Sequence, residues 1–130
     1  REIENRRIYS DQIKRKTLSI LRDKNEVSLL VSAGNIAMDI APNEAKIILI
    51  ENVASENKII RRAAARNLVK AESVPSSFAA NLSQALSYEI EILEKEEQIK
   101  EYLPKPRPRN YGAQTKLAIA NIGAILRRIR

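Results

Sequence analysis

The chain of 130 residues fits one domain with one modest core, and its apolar content of 44% excludes a disordered chain. Cysteine and histidine are absent, which excludes disulfides, thiolate metal sites and the general base that enzymes use most often. The net charge of +7 favours a polyanionic partner over a cationic one.

Helical spacing with little strand-like alternation predicts an all-α fold, a bundle of about five to six helices with an extended proline-rich arm before the last one. The first helix is predicted from about Glu2 to Arg22. Its polar surface carries Arg6, Arg7, Lys14, Arg15 and Lys16. Asp23 to Glu26 fits a capping box that begins a second helix. Pro42 ends that helix and suits the first turn of a third, whose apolar residues on several sides predict a central position.

A fourth helix is predicted from Glu56 to Ala71, with a stripe of alanine and branched residues. Its cations, which lie off this stripe, include Arg61, Arg62 and Arg66. One interpretation is a packed helix with a solvated basic back, as in one helix of a HEAT-like repeat. A second is a basic ridge that contacts phosphates. A third is that acidic segments of the chain neutralise these arginines inside the fold.

A long helix follows Ser73-Val74-Pro75 and keeps helical spacing over about 28 residues, or ~42 Å. Its second half carries six carboxylates, Glu89, Glu91, Glu94, Glu96, Glu97 and Glu101. Carboxylates can hold Mg²⁺ or Ca²⁺, but a solvated helix face is the favoured interpretation. Glycine-rich phosphate loops and nucleophile–histidine pairs are missing, so we expect no enzyme activity, no cofactor, no metal and no small-molecule substrate.

Prolines alternate with cations in the stretch YLPKPRPRNYG, residues 102–112. Each proline fixes φ and restricts the residue before it, which predicts a stiff, extended arm over residues 104–111. Lys105, Arg107 and Arg109 would stand ~6 Å apart along it, a workable spacing for successive phosphates. The alternative interpretation is a rigid spacer that its charges keep soluble.

The last helix is predicted from Gly112 to Arg130, with apolar residues that spread widely around it. Its cations include Lys116, Arg127 and Arg128. We expect residues 1–103 to form the helical bundle and residues 112–130 to dock either on that bundle or on a neighbouring subunit. The reach of the arm, ~25 Å for eight extended residues, favours the neighbouring copy.

Charge alternates along the chain in five blocks. Residues 1–24, 58–70 and 105–130 have net charges of +4, +5 and +7, and residues 25–57 and 71–104 have net charges of −4 and −5. Basic blocks are typical of polyanion-binding proteins. The acidic blocks can be solvated faces, or can dock the basic blocks of a neighbouring copy.

The stretch IIRRAAARNLVKAESVP resembles helices of HEAT-type repeats and of a small archaeal helical family of unknown function. No second copy at a fixed period is present, which argues against a solenoid. The whole chain resembles the major coat proteins of filamentous archaeal viruses in size, basic charge and helical character. This similarity is carried by Arg6-Arg7, by Lys14-Arg15-Lys16 and by IIRR at residues 59–62. It implies that paired copies wrap double-stranded DNA and stack into a helical filament.

We therefore expect a structural protein that coats or compacts DNA without sequence preference, as a repeating subunit of a virion coat type. The expected partners are the backbone of double-stranded DNA and a second or paralogous subunit. No membrane-length apolar run and no secretory segment is present, so an intracellular, cytoplasmic location is expected, or the virion if the resemblance to coat proteins holds. The alternative is a helical protein–protein adaptor or a basic subunit of a ribonucleoprotein. The predicted nucleic-acid contacts are Arg6, Arg7, Lys14, Arg15, Lys16, Arg61, Arg62, Arg66, Lys105, Arg107, Arg109, Lys116, Arg127 and Arg128.

Overall fold

The computed structural model describes the backbone of residues 2–129 and the side chains of residues 6–129. This part of the chain is helical, which confirms the all-α class. Its helices are α1 (Glu2–Asp23), α2 (Leu30–Ile40), α3 (Pro42–Val53), α4 (Lys58–Leu68), α5 (Ala79–Lys100) and α6 (Ala113–Arg127). The predicted end of the last helix at Arg130 lies outside the described residues.

The six helices form three hairpins, α1–α2, α3–α4 and α5–α6, that stack side by side in two layers. One layer contains α1, α3 and α5, and the other contains α2, α4 and α6. Neighbours within a layer pack against each other, so each hairpin buries the apolar face of the next, as in helical-repeat proteins. The hairpins stack although the sequence contains no fixed period. The third helix, α3, is central as predicted, because it packs against α1, α2, α4 and α5.

Three asparagine side chains fix the stacking within the layers. Each donates its amide to a backbone carbonyl of the helix one hairpin earlier, which satisfies a polar group inside the packed interface. The pairs are Asn52 with the Leu21 carbonyl, Asn67 with the Val31 carbonyl and Asn81 with the Ile50 carbonyl, each at 3.0 Å. These bonds join α3 to α1, α4 to α2 and α5 to α3.

The crossing of α2 and α4 depends on Gly34, because a Cβ atom there would lie 2.0 Å from Asn67 Oδ1 and 2.3 Å from its Cγ. We expect Gly34→Ala to destabilise the fold by about 1–3 kcal/mol, since Asn67 must move and lose its bond to Val31. Gly123→Ala is the matched control, because nothing lies within 4 Å of a Cβ atom at that helical position. It should stabilise α6 by up to ~1 kcal/mol. Urea unfolding measures both, and equal effects would contradict the close crossing.

The connection between α1 and α2 differs from the predicted capping box. Asp23 is the last residue of α1, and Glu26 makes no side-chain capping bond. Lys24 instead ends the helix with a left-handed φ of 60°, and its amide donates to the Ile20 carbonyl at 3.1 Å. The chain then enters α2 through a short 3₁₀ turn at Val27–Leu29. The charges in this connection therefore face solvent rather than cap α2.

The proline segment is an exposed, irregular connection before the last helix. It bends at residues 105 and 106 and turns over residues 109–112, so it is not one straight strand. In the turn, the Tyr111 amide donates to the Pro108 carbonyl at 3.3 Å, and Gly112 has a φ of 78°. The segment therefore reverses the chain, so that α6 runs back along α5.

The last helix packs on its own bundle. It lies against α4 and α5, and it buries Thr115, Ala118, Ile122 and Ile125. Val74 and Ile129 form an isolated backbone bridge that holds the end of α6 beside the segment after α4. The expectation that this helix docks on a neighbouring copy is therefore corrected. The proline segment connects α5 to α6 within one chain, and the two helices pack against each other.

Candidate nucleic-acid interface

Two of the predicted phosphate contacts, Arg61 and Arg62, point into the fold. Helix α4 begins at an N-cap, Asn57, whose side chain accepts from the amides of Ile59 and Ile60 at 2.9 and 3.3 Å. Neighbouring helices α2, α3 and α6 then cover the helix, so few of its positions reach solvent. Arg61 is 0% exposed, and 21% of the Arg62 side chain is accessible.

Both arginines bind one buried carboxylate, Glu89 of α5, which is 0% exposed. Arg61 Nε donates to Glu89 Oε2 at 2.8 Å, and Arg62 Nη2 donates to Glu89 Oε1 at 2.7 Å. Arg61 Nη1 also donates to the carbonyls of Ser55 and Glu56 at 2.9 and 3.0 Å. Buried charges persist in proteins when they are paired and hydrogen-bonded in this way.

The network continues into α6. Arg62 Nη2 donates to Thr115 Oγ1 at 3.1 Å, and the Thr115 hydroxyl donates to Glu96 of α5. The Arg61 guanidinium also lies over the Tyr88 ring, 5.1 Å from its centroid. The four side chains Arg61, Arg62, Glu89 and Thr115 thus join α4, α5 and α6, and we refer to them as the buried ionic network.

This network overturns two expectations. Arg61 and Arg62 were predicted to contact phosphates, but Glu89 neutralises them inside the protein. The third interpretation of the fourth helix, in which an acidic segment satisfies its arginines, is the correct one for this pair. Glu89 was expected on a solvated face together with the other glutamates, yet it is fully buried. The other glutamates of this cluster keep at least partial exposure.

Arg128 has a structural contact as well as an exposed surface. Its Nη1 donates to the carbonyls of Val69 and, at 3.1 Å, Ala71, which follow α4. A cation is favourable there, because the last carbonyls of a helix carry partial negative charge. Nearby, Lys70, which follows α4, donates its Nζ to Asn35 Oδ1 at 2.9 Å. Arg66 of α4 is exposed.

The remaining predicted contacts form two separate exposed surfaces. The C-terminal cationic surface consists of Lys105, Arg107, Arg109, Lys116 and Arg127, and all five are exposed. Among the described residues, none of these five forms a salt bridge. The sequence after residue 104 contains no anion, so nothing in this stretch neutralises the surface.

The N-terminal cationic surface consists of Arg6, Arg7, Arg15 and Lys16, which are exposed and, at about 100° per residue, lie on different sides of α1. Residues 6–13 contain no buried side chain, because this half of α1 extends past the start of α3. Lys14 is different, since its Nζ lies 2.8 Å from Glu44 Oε1. The hydrogen bond and the charge of Glu44 raise the pKa of Lys14, which forms a surface ion pair with this carboxylate.

Other kinds of site find little support in the described residues. Among the side chains of residues 6–129, no three acidic groups converge as metal ligands. None of the helices in this range is both long enough and apolar enough to cross a membrane. Comparisons with protein-family models, with curated proteins and with solved structures found no match. The two exposed cationic surfaces are consequently the features on which a function can be argued.

Proposed function

We propose that the protein binds the phosphate backbone of nucleic acid without sequence preference, as a repeating structural subunit that coats or compacts double-stranded DNA. The observation that carries this proposal is the C-terminal cationic surface. Its arginines are exposed, and a guanidinium can donate two parallel hydrogen bonds to a phosphate. No recognition motif for bases accompanies it, so backbone contacts account for the binding.

The layout of the C-terminal cationic surface suits a polyanion. Lys116 and Arg127 are eleven residues apart on α6, which places them on the same side of the helix, ~16 Å apart along its axis. The cations at 105, 107 and 109 precede the N-terminal end of the same helix, where the helix dipole also favours negative charge. Since DNA carries one charge per ~1.7 Å, a surface of this length can meet several phosphates.

The N-terminal cationic surface supports compaction. It belongs to the first hairpin, whereas the C-terminal cationic surface belongs to the third, and the α3–α4 hairpin separates them. Two cationic surfaces at opposite ends of the stack allow one copy to contact two segments of a polyanion. A coat of the kind implied by the resemblance to filamentous archaeal virus proteins needs this property, together with contacts between copies.

The proposal is tested with the double variant Arg107→Gln and Arg109→Gln. If both side chains bind phosphates, the slope of log K against log[salt] should shrink by roughly 1.8 units, about 0.9 for each lost contact. Affinity should fall equally for unrelated duplexes, because backbone contacts carry no sequence information. Fluorescence anisotropy with labelled random-sequence duplexes over ~50–200 mM salt measures both quantities.

The matched control changes Pro106 and Pro108 to alanine, which keeps both charges and loosens the segment. It should leave the salt slope unchanged and cost a smaller part of the affinity, through lost preorganisation. If the glutamine variant binds like the parent protein while the alanine variant fails, the segment is a spacer. The proposal then depends on the N-terminal cationic surface alone.

An adaptor for other proteins is the second candidate, because stacked helical hairpins are typical of protein-binding repeat proteins. Copurification discriminates between the two. Protein isolated without nuclease should carry nucleic acid of mixed sequence if the first proposal holds. A defined protein that copurifies in fixed stoichiometry, with no nucleic acid, would favour the adaptor instead.

A further inference from the structure

The outer face of the first hairpin is apolar and uncovered. Its exposed side chains are Tyr9 at 66%, Ile13 at 47%, Leu29 at 40%, Ile36 at 43% and Ile40 at 43%. Ile36 and Ile40 are neighbours on one side of α2, and Ile36 lies roughly 200° around the helix from Gly34, which contacts α4. These apolar residues therefore face away from the rest of the stack.

Such a face is unusual at the end of a stack of hairpins. Each internal hairpin is covered by the next, and terminal hairpins of helical-repeat proteins normally carry a polar outer face. Here the first hairpin presents the same kind of apolar surface that α3–α4 and α5–α6 use to bind each other. It has the character of the surface of an internal hairpin, and none of the described residues covers it.

The third hairpin offers a complementary surface at the other end of the stack. On α5, Ile90 is 41% exposed, and Glu94, Glu97 and Glu101 are exposed beside it. On α6, Gly123 borders open space, since no heavy atom lies within 4 Å of a Cβ atom placed there. Gly123 leaves room for a bulky side chain of a partner on this side of α6, between Lys116 seven residues before it and Arg127 four residues after it.

The charges of the two ends match. Residues 6–16 of α1 contain one anion and five cations, of which Lys14 is paired with Glu44, whereas residues 90–101, at the end of α5 and just after it, contain five anions and two cations. Within the chain, α1 and α5 belong to the same layer but are kept apart by α3. Opposite charge on the two outer helices of one layer favours contact between the α1 of one copy and the α5 of another.

We propose that the first hairpin of one copy docks on the third hairpin of a second copy. Helix α1 then lies on α5 and α2 lies on α6, so that both layers continue from copy to copy. The aliphatic residues of α2 meet Gly123 and its neighbours, and the exposed cations of α1 meet the glutamates of α5. This contact covers residues of both cationic surfaces, so it belongs to the protein free of nucleic acid and competes with phosphate binding. Such a head-to-tail contact joins two different surfaces, so it can repeat without closing.

The test uses two variants that each block one end. The first changes Ile36 and Ile40 to glutamate, and the second changes Glu94 and Glu97 to lysine. All four positions are exposed, so the monomer fold should persist, which circular dichroism checks. In sedimentation of nuclease-treated protein, the parent should grow in mass with concentration and each variant should stay monomeric. An equimolar mixture of the variants should form a one-to-one dimer and nothing larger, because each keeps one working end.

A matched control changes Ile47 and Ile59 to glutamate. Both isoleucines are exposed, at 60% and 53%, but they belong to the middle hairpin, so self-association should be unchanged. A parent protein that stays monomeric at every concentration would overturn the inference. So would variants that still associate alone, or a mixture that remains monomeric. Because no nucleic acid is present, failure of DNA binding leaves this result unaffected.

Discussion

Replacing Glu89 with glutamine is expected to destabilise the protein by about 3–5 kcal/mol, because removing one partner of a buried ionic network leaves uncompensated charge. Glu89 accepts from both Arg61 and Arg62, and neither it nor Arg61 has measurable solvent exposure. Glutamine keeps the shape but turns one acceptor into an N–H donor that faces two other donors. The loss approaches the whole stability of a small domain, ~5–15 kcal/mol. Urea unfolding followed by circular dichroism measures it.

The control for this substitution is Glu91→Gln on the same helix. Glu91 is exposed and pairs with Lys95 at 3.3 Å, and such surface pairs contribute ~0.5 kcal/mol or less. A second comparison replaces Arg61 and Arg62 with methionine and Glu89 with leucine together, because both arginines bind this carboxylate. Apolar replacements of a whole buried ionic cluster are often tolerated, so this triple variant should be more stable than Glu89→Gln alone. Similar losses in Glu89→Gln and Glu91→Gln would contradict the structural role of the network.

The helices themselves could be predicted from the sequence, because apolar periodicity and proline positions depend on local residues alone. Pro42 at the start of α3 and the central position of that helix are examples. The stacking of hairpins could not be predicted from a repeat. Stacking needs apolar faces of matching shape, which different residues provide in each hairpin, so no fixed sequence period has to exist.

The local sequence could not show that Arg61 and Arg62 point into the fold rather than to solvent. The carboxylate that binds Arg61 is 28 residues away and belongs to another hairpin. A charged run on an isolated helix has the same sequence whether its partner is solvent or a buried glutamate. One sequence signal did indicate that Glu89 is buried. Glu89 follows Leu82 and Ala85 at helical spacing, so it lies on the same side of α5 as these two buried residues.

The proline segment shows how a correct local prediction can give an incorrect global one. Its prolines restrict the backbone as expected, and its cations are exposed. The direction of the segment, however, is set by α6. Burying the apolar side chains of α6 against α4 and α5 stabilises the fold, and the segment must turn to allow it. Asn110 and Gly112 are common turn residues, and Gly112 supplies the positive φ that begins α6.

Deleting residues 104–130 is expected to abolish cooperative folding, because α6 belongs to the core of its own chain. Ile122 and Ile125 are 0% exposed, and burying one such side chain stabilises a fold by about 1.5–3 kcal/mol. Leu126 and Ile129 pack against the same core. The deletion also removes Thr115 and Arg128, so Arg62 loses one hydrogen-bond acceptor and the carbonyls after α4 lose their cation. The summed loss is comparable to the entire stability of a small domain, ~5–15 kcal/mol.

Thermal unfolding by circular dichroism and amide chemical-shift dispersion would detect this loss. Two substitutions in the full chain separate lost packing from the trivial effect of a shorter chain. Ile122→Asp buries a charge without a partner, so it should lower the stability by several kcal/mol. Leu117 on the same helix is 51% exposed, so Leu117→Asp should change the stability by less than about 0.5 kcal/mol. A truncated protein that melts cooperatively near the parent temperature would mean that α1 to α5 fold without α6. In that case the last helix would be free to bind a second copy, as the sequence first indicated.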